Sequence, residues 1–149
     1  MKKYDLHIHS KFSDGEYSVE EIVEKLKICG IDIFSITDHD NIQSIKAMKE
    51  VDKKGLIYIP GVEISCEKGK YKMHILGYNI DADNKELVKL LKDMKLRKNL
   101  RNLEIIQQLK EKSNLTEDMK NADMLYWVGM MNNFKNQAEE IVFNELIYV

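Results

Sequence analysis

The chain carries four histidines, all in its first half, and three of them sit in short polar clusters where an apolar run ends. The first cluster is Asp5-Leu6-His7-Ile8-His9-Ser10. Residues two apart on a strand project to the same side, so His7 and His9 can present two imidazoles to one metal ion without backbone distortion. Asp5 is placed to orient one of them. The plainer reading of a single histidine there would be a satisfied core group. The second cluster, Thr37-Asp38-His39-Asp40, follows a β-prone run directly. It reads either as functional groups at a strand's C-terminal end or as an Asp cap with a surface histidine, because Asp40 or Asn41 could start the next helix. Ser13-Asp14-Gly15 offers Asp14 as a turn former or as a carboxylate ligand.

The third cluster is Gly61-Val62-Glu63-Ile64-Ser65, with His74 on the return strand of a hairpin. The loop length decides whether they meet. A four-residue loop (Glu67 to Lys70) sets Glu63 opposite His74, and a two-residue loop sets them diagonally on one face. A three-residue loop separates them. A Glu buried between Val62 and Ile64 needs compensation, which a metal ion supplies. His7, His9, Asp14, His39, Glu63 and His74 together mix imidazole nitrogen with carboxylate oxygen, which suits zinc, manganese or iron better than calcium. Six such donors exceed one tetrahedral shell, so more than one ion is expected. Ions about 3.5–4 Å apart, sharing Glu63, could activate water and neutralise a phosphoryl group during in-line displacement.

The elements that must position these groups are legible in the periodicity. Lys3–Ile8 alternates as a strand. Ser18 starts a helix whose core face is Ile22, Val23, Leu26 and Cys29, and Gly30 stops it. Ile31–Thr37 is a second strand, a helix follows from about Ile42 to Lys53, and Leu56–Ile59 is a third strand. This β-α-β-α-β order predicts a parallel sheet. Val62–Glu67 and Tyr71–Tyr78 flank Lys68-Gly69-Lys70 as a hairpin.

From Asn84 to about Lys112 the pattern is helical, with Leu87, Leu90, Leu91 and Met94 on one stripe and Leu96, Leu100 and Leu103 on a shifted one. Nine basic and four acidic residues lie between Lys85 and Lys112, either a solvated face or a local attraction for phosphate. Asn114–Val149 reads as further helix with a break at Gly129. The organisation expected is 1–82 as a metal-binding part and 83–149 as a helical segment.

Composition narrows the function classes. At 149 residues, 44% hydrophobic and a net charge of -2, the chain suits one packed domain and gives no global reason for nucleic-acid or membrane-surface binding. No apolar run reaches the roughly 20 residues of a membrane span or resembles a signal peptide. Cys29 and Cys66 form no C-x-x-C pair and read as packing residues of a cytoplasmic protein.

The motifs D-L-H-I-H-S with S-D-G, then S-I-T-D-H-D, then P-G-V-E-I-S and H-I-L-G-Y, resemble in order and spacing the first motifs of the PHP (polymerase and histidinol phosphatase) family, over residues 3–81. The later basic stretch resembles the helical insertion of the branch that hydrolyses nucleotide and oligonucleotide phosphates. The resemblance implies an α/β fold: a TIM-like, seven-stranded barrel with up to three divalent ions at its C-terminal rim. It implies His7 and His9 as ligands of a first metal, Glu63 as the bridge to a second, His74 as a ligand of that second, and Asp14 with His39 as ligands of a third. Glu63 and Asp38 are the expected catalytic residues, Asp38 in a supporting role.

The family's later motifs, a further His and a closing Asp-x-His, have no counterpart after His74. The expectation is therefore an incomplete barrel, the N-terminal half of the family's domain. The leading functional reading is a metal-dependent phosphoesterase acting on phosphomonoesters, nucleotides or oligonucleotides by metal-activated hydroxide. The alternative is a catalytically incomplete remnant or half-subunit that binds metal weakly and needs a second chain. An amidohydrolase-like enzyme, whose barrel also opens on H-x-H, is a minor third.

Overall fold

Helix α1 (Val19–Ile28) begins where it does because Ser18 and Glu21 form a capping box. The Glu21 N–H donates to the Ser18 hydroxyl at 3.3 Å, and the Ser18 N–H donates to the Glu21 carboxylate at 2.7 Å. Glu20 and Glu21 add negative charge to the positive end of the helix. The helix ends at Gly30, whose φ of 68° is the left-handed conformation that glycine tolerates. Val19, Ile22, Val23 and Leu26 face inward and pack with Phe34, Ile36, Met48 and Leu56. Phe34 and Ile36 are fully buried, each contributing about 1.5–3 kcal/mol of apolar burial.

The computed structural model describes residues 1–68 and 71–146, in two units, Met1–Lys92 and Asp93–Val149. In the first unit, β1 (Tyr4–Ile8), β2 (Ile33–Ile36) and β3 (Ile57–Tyr58) form a parallel sheet in that order. The parallel arrangement follows from the helical crossovers, α1 and the short α2 (Gln43–Ala47). Strands β4 (Gly61–Lys68) and β5 (Tyr71–Tyr78) form an antiparallel pair. Helix α3 (Lys85–Lys112) starts at Asn84, whose side-chain oxygen accepts the N–H groups of Glu86 and Leu87, both at 3.0 Å.

The second unit contains the rest of α3, α4 (Glu117–Ala122) and α5 (Met124–Leu146). Ile105 packs with Ala138 and Val142, and Arg101 forks onto Glu145 at 3.1 and 3.3 Å. Rising numbers on α3 meet falling numbers on α5, so the two helices run in opposite directions. Among the described residues no helix is long and apolar enough to cross a membrane.

Several expectations from sequence need correction. The second helix is only five residues long: past Ala47 the chain goes over to tighter turns, with the Lys49 N–H on the Lys46 carbonyl at 3.2 Å and the Glu50 N–H on the Ala47 carbonyl at 3.1 Å. Cys29 does not pack in the core: it is the C-cap of α1 and is exposed. Gly129 breaks nothing, since α5 runs through it; the breaks are Asn114, with φ 54°, and Asp123, which is extended. A helix tolerates an interior glycine for about 1 kcal/mol, whereas Asp123 accepts the Tyr126 N–H at 3.0 Å and starts α5 itself. Leu96, Leu100 and Leu103, expected on a second apolar face of α3, are all more than half exposed.

Candidate metal centre

The site starts from a buried carboxylate that holds a loop. Asp38, two residues past the end of β2, is fully buried. It accepts the Ser10 N–H at 2.7 Å, the Ser10 hydroxyl at 2.8 Å and the Ser13 hydroxyl at 2.7 Å. Three such bonds compensate the desolvated charge. They also tie residues 10–13, after β1, to the end of β2. The Ser13 and Gly15 N–H groups both donate to the Ser10 carbonyl at 3.0 Å. Gly15 lies so close to the His9 carbonyl that a Cβ there would collide with it. The glycine of S-D-G is thus what lets the turn fold back and bring Asp14 beside His9.

A second set of backbone bonds brings Glu63 to the same place. The Glu63 N–H donates to the Asp38 carbonyl at 3.2 Å, and the Asp40 N–H donates to the Glu63 carbonyl at 2.8 Å. These form an isolated parallel bridge between His39 and Glu63, so the start of β4 runs alongside the extension of β2. Asp40 adopts φ 49°, and its side chain accepts the Ser65 N–H at 2.8 Å. It fastens β4 rather than capping α2, whose N-cap is Ile42 with no side-chain bond. A Cβ on Gly61 would run into the Ser35 hydroxyl and the Thr37 methyl, so only glycine fits where β4 passes β2.

The hairpin register settles how His74 arrives. Lys68 pairs with Tyr71, leaving a two-residue link that lies outside the described residues. Glu63 therefore faces Leu76, and His74 faces Ser65, one diagonal step away on the same side. In β1 the ladder slips by one residue between Asp5 and Ile8, so the strand carries a distortion that the H-x-H spacing did not require. His7 and His9 nevertheless converge. Among the described residues, Asp5 makes no hydrogen bond or ion pair with either.

All six donors meet around Glu63. Its Oε2 lies 2.7 Å from His7 Nε2, 3.2 Å from His9 Nε2 and 3.8 Å from His39 Nδ1, while its Oε1 lies 2.8 Å from His74 Nδ1. Asp14 sits on the other side of two of these rings, 2.9 Å from His9 Nδ1 and 3.8 Å from His39 Nε2. Ring centroids are 5.0 Å apart for His7–His9, 4.5 Å for His9–His39 and 4.9 Å for His39–His74. The Glu63 side chain is 4% exposed and that of His7 is 51% exposed, so the cluster is open at His7 and closed at its centre.

Electrostatics follow from this packing. Burial works to raise the Glu63 carboxyl, but the hydrogen bonds and charges of His7, His39 and His74 outweigh it and hold the group below its ordinary value. Burial is the largest influence on His39 and pushes its imidazole below the ordinary value, helped by its imidazole neighbours His9 and His74. A low imidazole value favours the neutral ring, the form that binds metal.

Three sets of donors could each hold an ion, with ligand atoms within 4.8 Å of one another: His7, His9 and Glu63; His9, Asp14 and His39; His39, Glu63 and His74. The donors fit a borderline divalent ion by type. His9 Nδ1 and His39 Nδ1 are buried without a hydrogen-bond partner, even though Asp14 is only 2.9 Å from the former. Orphaned buried nitrogens beside the Asp14 and Glu63 carboxylates are the pattern a bound divalent ion would satisfy.

Sequence reasoning assigned no role to Ser10 and Ser13, the partners of Asp38, or to Gly15 and Gly61. The signal was present in the motifs: hydroxyls and glycines lay beside the ligands, but nothing in a linear pattern says which carboxylate a serine reaches. Asp38 itself makes none of these ion-pair contacts and acts through the loop.

Comparison with known proteins agrees with this geometry. The PHP domain model matches residues 5–140. A 5'-3' exoribonuclease from Haemophilus influenzae is 38% identical over 114 residues, covering 74% of this chain and 40% of that protein. A 3',5'-nucleoside bisphosphate phosphatase from Chromobacterium violaceum is 30% identical over 96 residues, covering 64% of this chain and 34% of that protein. Among solved structures, an amidohydrolase from Chromobacterium violaceum with bound sulfate and no metal superposes with a TM-score of 0.65 at 25% identity, over 76% of this chain and 40% of the other. The chain thus spans between about a third and two fifths of the length of these relatives. The extent of the match and the order of the motifs show that the chain belongs to the PHP domain family.

Proposed function

We propose that the chain is a metal-dependent phosphoesterase acting on the phosphate esters of nucleotides or short oligonucleotides. The observation that carries this reading is the buried Glu63 carboxylate, within 3.8 Å of four imidazoles, with Asp14 beyond two of them. Zinc, manganese or iron suits that donor set, held by His7, His9, Asp14, His39, Glu63 and His74. A divalent ion there supplies Lewis acidity toward a phosphoryl oxygen and toward water. The chain's own residues do the rest. Glu63 presents two oxygens to different groups of imidazoles, Asp38 fixes the loop that carries Asp14, and the exposed His7 edge leaves room for an ester to enter. Hydrolysis forms a bond from water oxygen to phosphorus and breaks the phosphorus–ester oxygen bond, releasing an alcohol and phosphate.

The names of the related exoribonuclease and bisphosphate phosphatase support a nucleotide ester as substrate. Two free thiols, Cys29 and Cys66, suit a cytoplasmic enzyme. The purified chain, supplied with manganese or zinc, is expected to hydrolyse a nucleoside 3',5'-bisphosphate or a 5'-phosphorylated short RNA. His9→Ala should remove that activity, and equal activity in the two proteins would refute the reading.

A second reading, a half-subunit that needs another chain, is favoured by one observation. The outward face of β5 exposes Met73 and Ile75, apolar side chains on a strand that, among the described residues, has β4 as its one strand partner. Mass measurement in solution separates the two: a stable, active monomer excludes obligate completion.

A further inference from the structure

In the second unit the apolar residues of α3 fall on two sides. Ile105, with Ile106 and Leu109 beside it, packs against Ala138 and Val142 of α5. At about 100° per residue, Leu96, Leu100 and Leu103 lie on roughly the opposite side, spaced by four and then three positions. They are 57%, 51% and 62% exposed. A single exposed leucine is ordinary, but three in one row, rimmed by charge, mark an interaction surface. The four–three spacing is that of a helix–helix seam, in which side chains of one helix fill the gaps between those of another.

The charges beside the row say which helix fits it. Arg97 and Glu104 are exposed on the same flank of the leucines, and Lys92 lies on the other flank. Among the described residues Arg97 has no ion pair, and Glu104 has a loose one, 3.6 Å from Arg101. We propose that two copies of this chain pair through this face, their α3 helices antiparallel about a two-fold axis at Leu100. Leu96 then meets Leu103 of the partner subunit, Leu100 meets the partner's Leu100, and Leu103 meets the partner's Leu96. Turning one helix end for end brings like flanks together, so Arg97 comes opposite the partner's Glu104, and the symmetry forms that pair twice. A parallel pair would instead bring Lys92 beside the partner's Arg97, also twice, and these charges repel. The surface is complementary to itself in one orientation and opposed to itself in the other.

The contact is small. Three leucines and their flanks cover a few hundred Å2 per copy, short of the roughly 800 Å2 per partner of a standard stable complex. Association is therefore expected to be reversible, with a dissociation constant of about 10–100 µM. The inference stands apart from the metal-dependent reading, because none of these α3 residues belongs to the three donor sets. It also differs from the half-subunit reading, which uses the β5 face.

Sedimentation velocity on the full chain, from about 2 to about 500 µM, reads the association. The mass is expected to rise from 17.5 kDa toward twice that value. Leu100→Lys, at a position already half exposed, should keep the chain monomeric throughout with an unchanged circular dichroism spectrum. Arg97→Glu should weaken the dimer about tenfold, and adding Glu104→Arg should bring the constant back to within about threefold of wild type. Ile75→Lys, on β5, should leave the dimer as it is. A wild-type chain that stays monomeric over the whole range overturns the inference. So does a dimer that survives Leu100→Lys, or one that tightens with Arg97→Glu, as the parallel pair requires. A dimer lost in Ile75→Lys and kept in Leu100→Lys overturns it in favour of the half-subunit. A dimer that behaves as expected but hydrolyses no ester supports the inference and refutes only the phosphoesterase.

Discussion

Replacing Asp38 by alanine should destabilise the metal-free chain by about 3–5 kcal/mol, because it orphans two buried donors of Ser10 and the hydroxyl of Ser13. The carboxylate is fully buried and accepts three hydrogen bonds, two from the equally buried Ser10 and one from Ser13. A hydrogen bond to an ionised group contributes about 1.5–3 kcal/mol, and an orphaned buried donor costs about 1–3 kcal/mol. The three bonds end on one carboxylate and are not additive, which keeps the total below their separate values. Asp38→Asn retains one carbonyl acceptor but turns an amide N–H toward a donor, so about 2–3 kcal/mol is expected. Ser13→Ala removes a single half-buried bond and should cost about 1 kcal/mol. Urea denaturation followed by far-ultraviolet circular dichroism measures all three. Because the same bonds hold Asp14 near His9, manganese affinity should fall in the Asp38 variants. An Asp38→Ala chain less than about 1 kcal/mol below wild type would refute the argument that this carboxylate organises the loop.

Other perturbations probe the surrounding frame. Gly61→Ala places a methyl against Ser35 and Thr37 where β4 passes β2; a loss of about 1–3 kcal/mol is expected, and an unchanged thermal midpoint would contradict the close approach. Gly129→Ala should stabilise the chain by about 0.5–1 kcal/mol, since nothing lies near the added methyl and α5 continues through that position; a drop in midpoint would argue for a break there. Acid should destabilise the metal-free chain, because two groups act in the same sense. His39 is held below the ordinary imidazole value of 6.5, so the unfolded chain takes up its proton first and stability falls as pH drops through that value. Glu63 is held below 4.5, and its contribution is lost as pH falls further, through its folded value. Thermal melts between about pH 7 and pH 4 should show a steady decline, and a midpoint that rises on acidification would contradict both directions.

Much of this fold was legible because local chemistry and tertiary packing agree. Ser18 and Glu21 cap α1 as their spacing implies, and the β-α-β-α-β order yields a parallel sheet. The hairpin could only be narrowed to an even loop or a bulge; pairing of Lys68 with Tyr71 chose the diagonal arrangement. Three things escaped a linear reading. The slip in β1 depends on what β2 presents to it. Asp40 has the chemistry of a helix cap but finds the Ser65 N–H instead, a partner 25 residues away. Cys29 lies on the apolar side of the α1 pattern, yet the helix ends there and leaves its thiol exposed. In the first two cases the deciding contact is distant in the chain, where periodicity carries no information.

The pairing of His7 with Glu63 spans 56 residues, and Glu63 reaches its neighbours only after β4 has docked beside β2. An ion therefore meets a complete set of ligands only at the end of folding. Bound metal should act as a latch: it would slow unfolding strongly while leaving the folding rate almost untouched, because the transition state precedes the contacts it rewards. Chelation would then shorten the lifetime of the native chain far more than it delays its return.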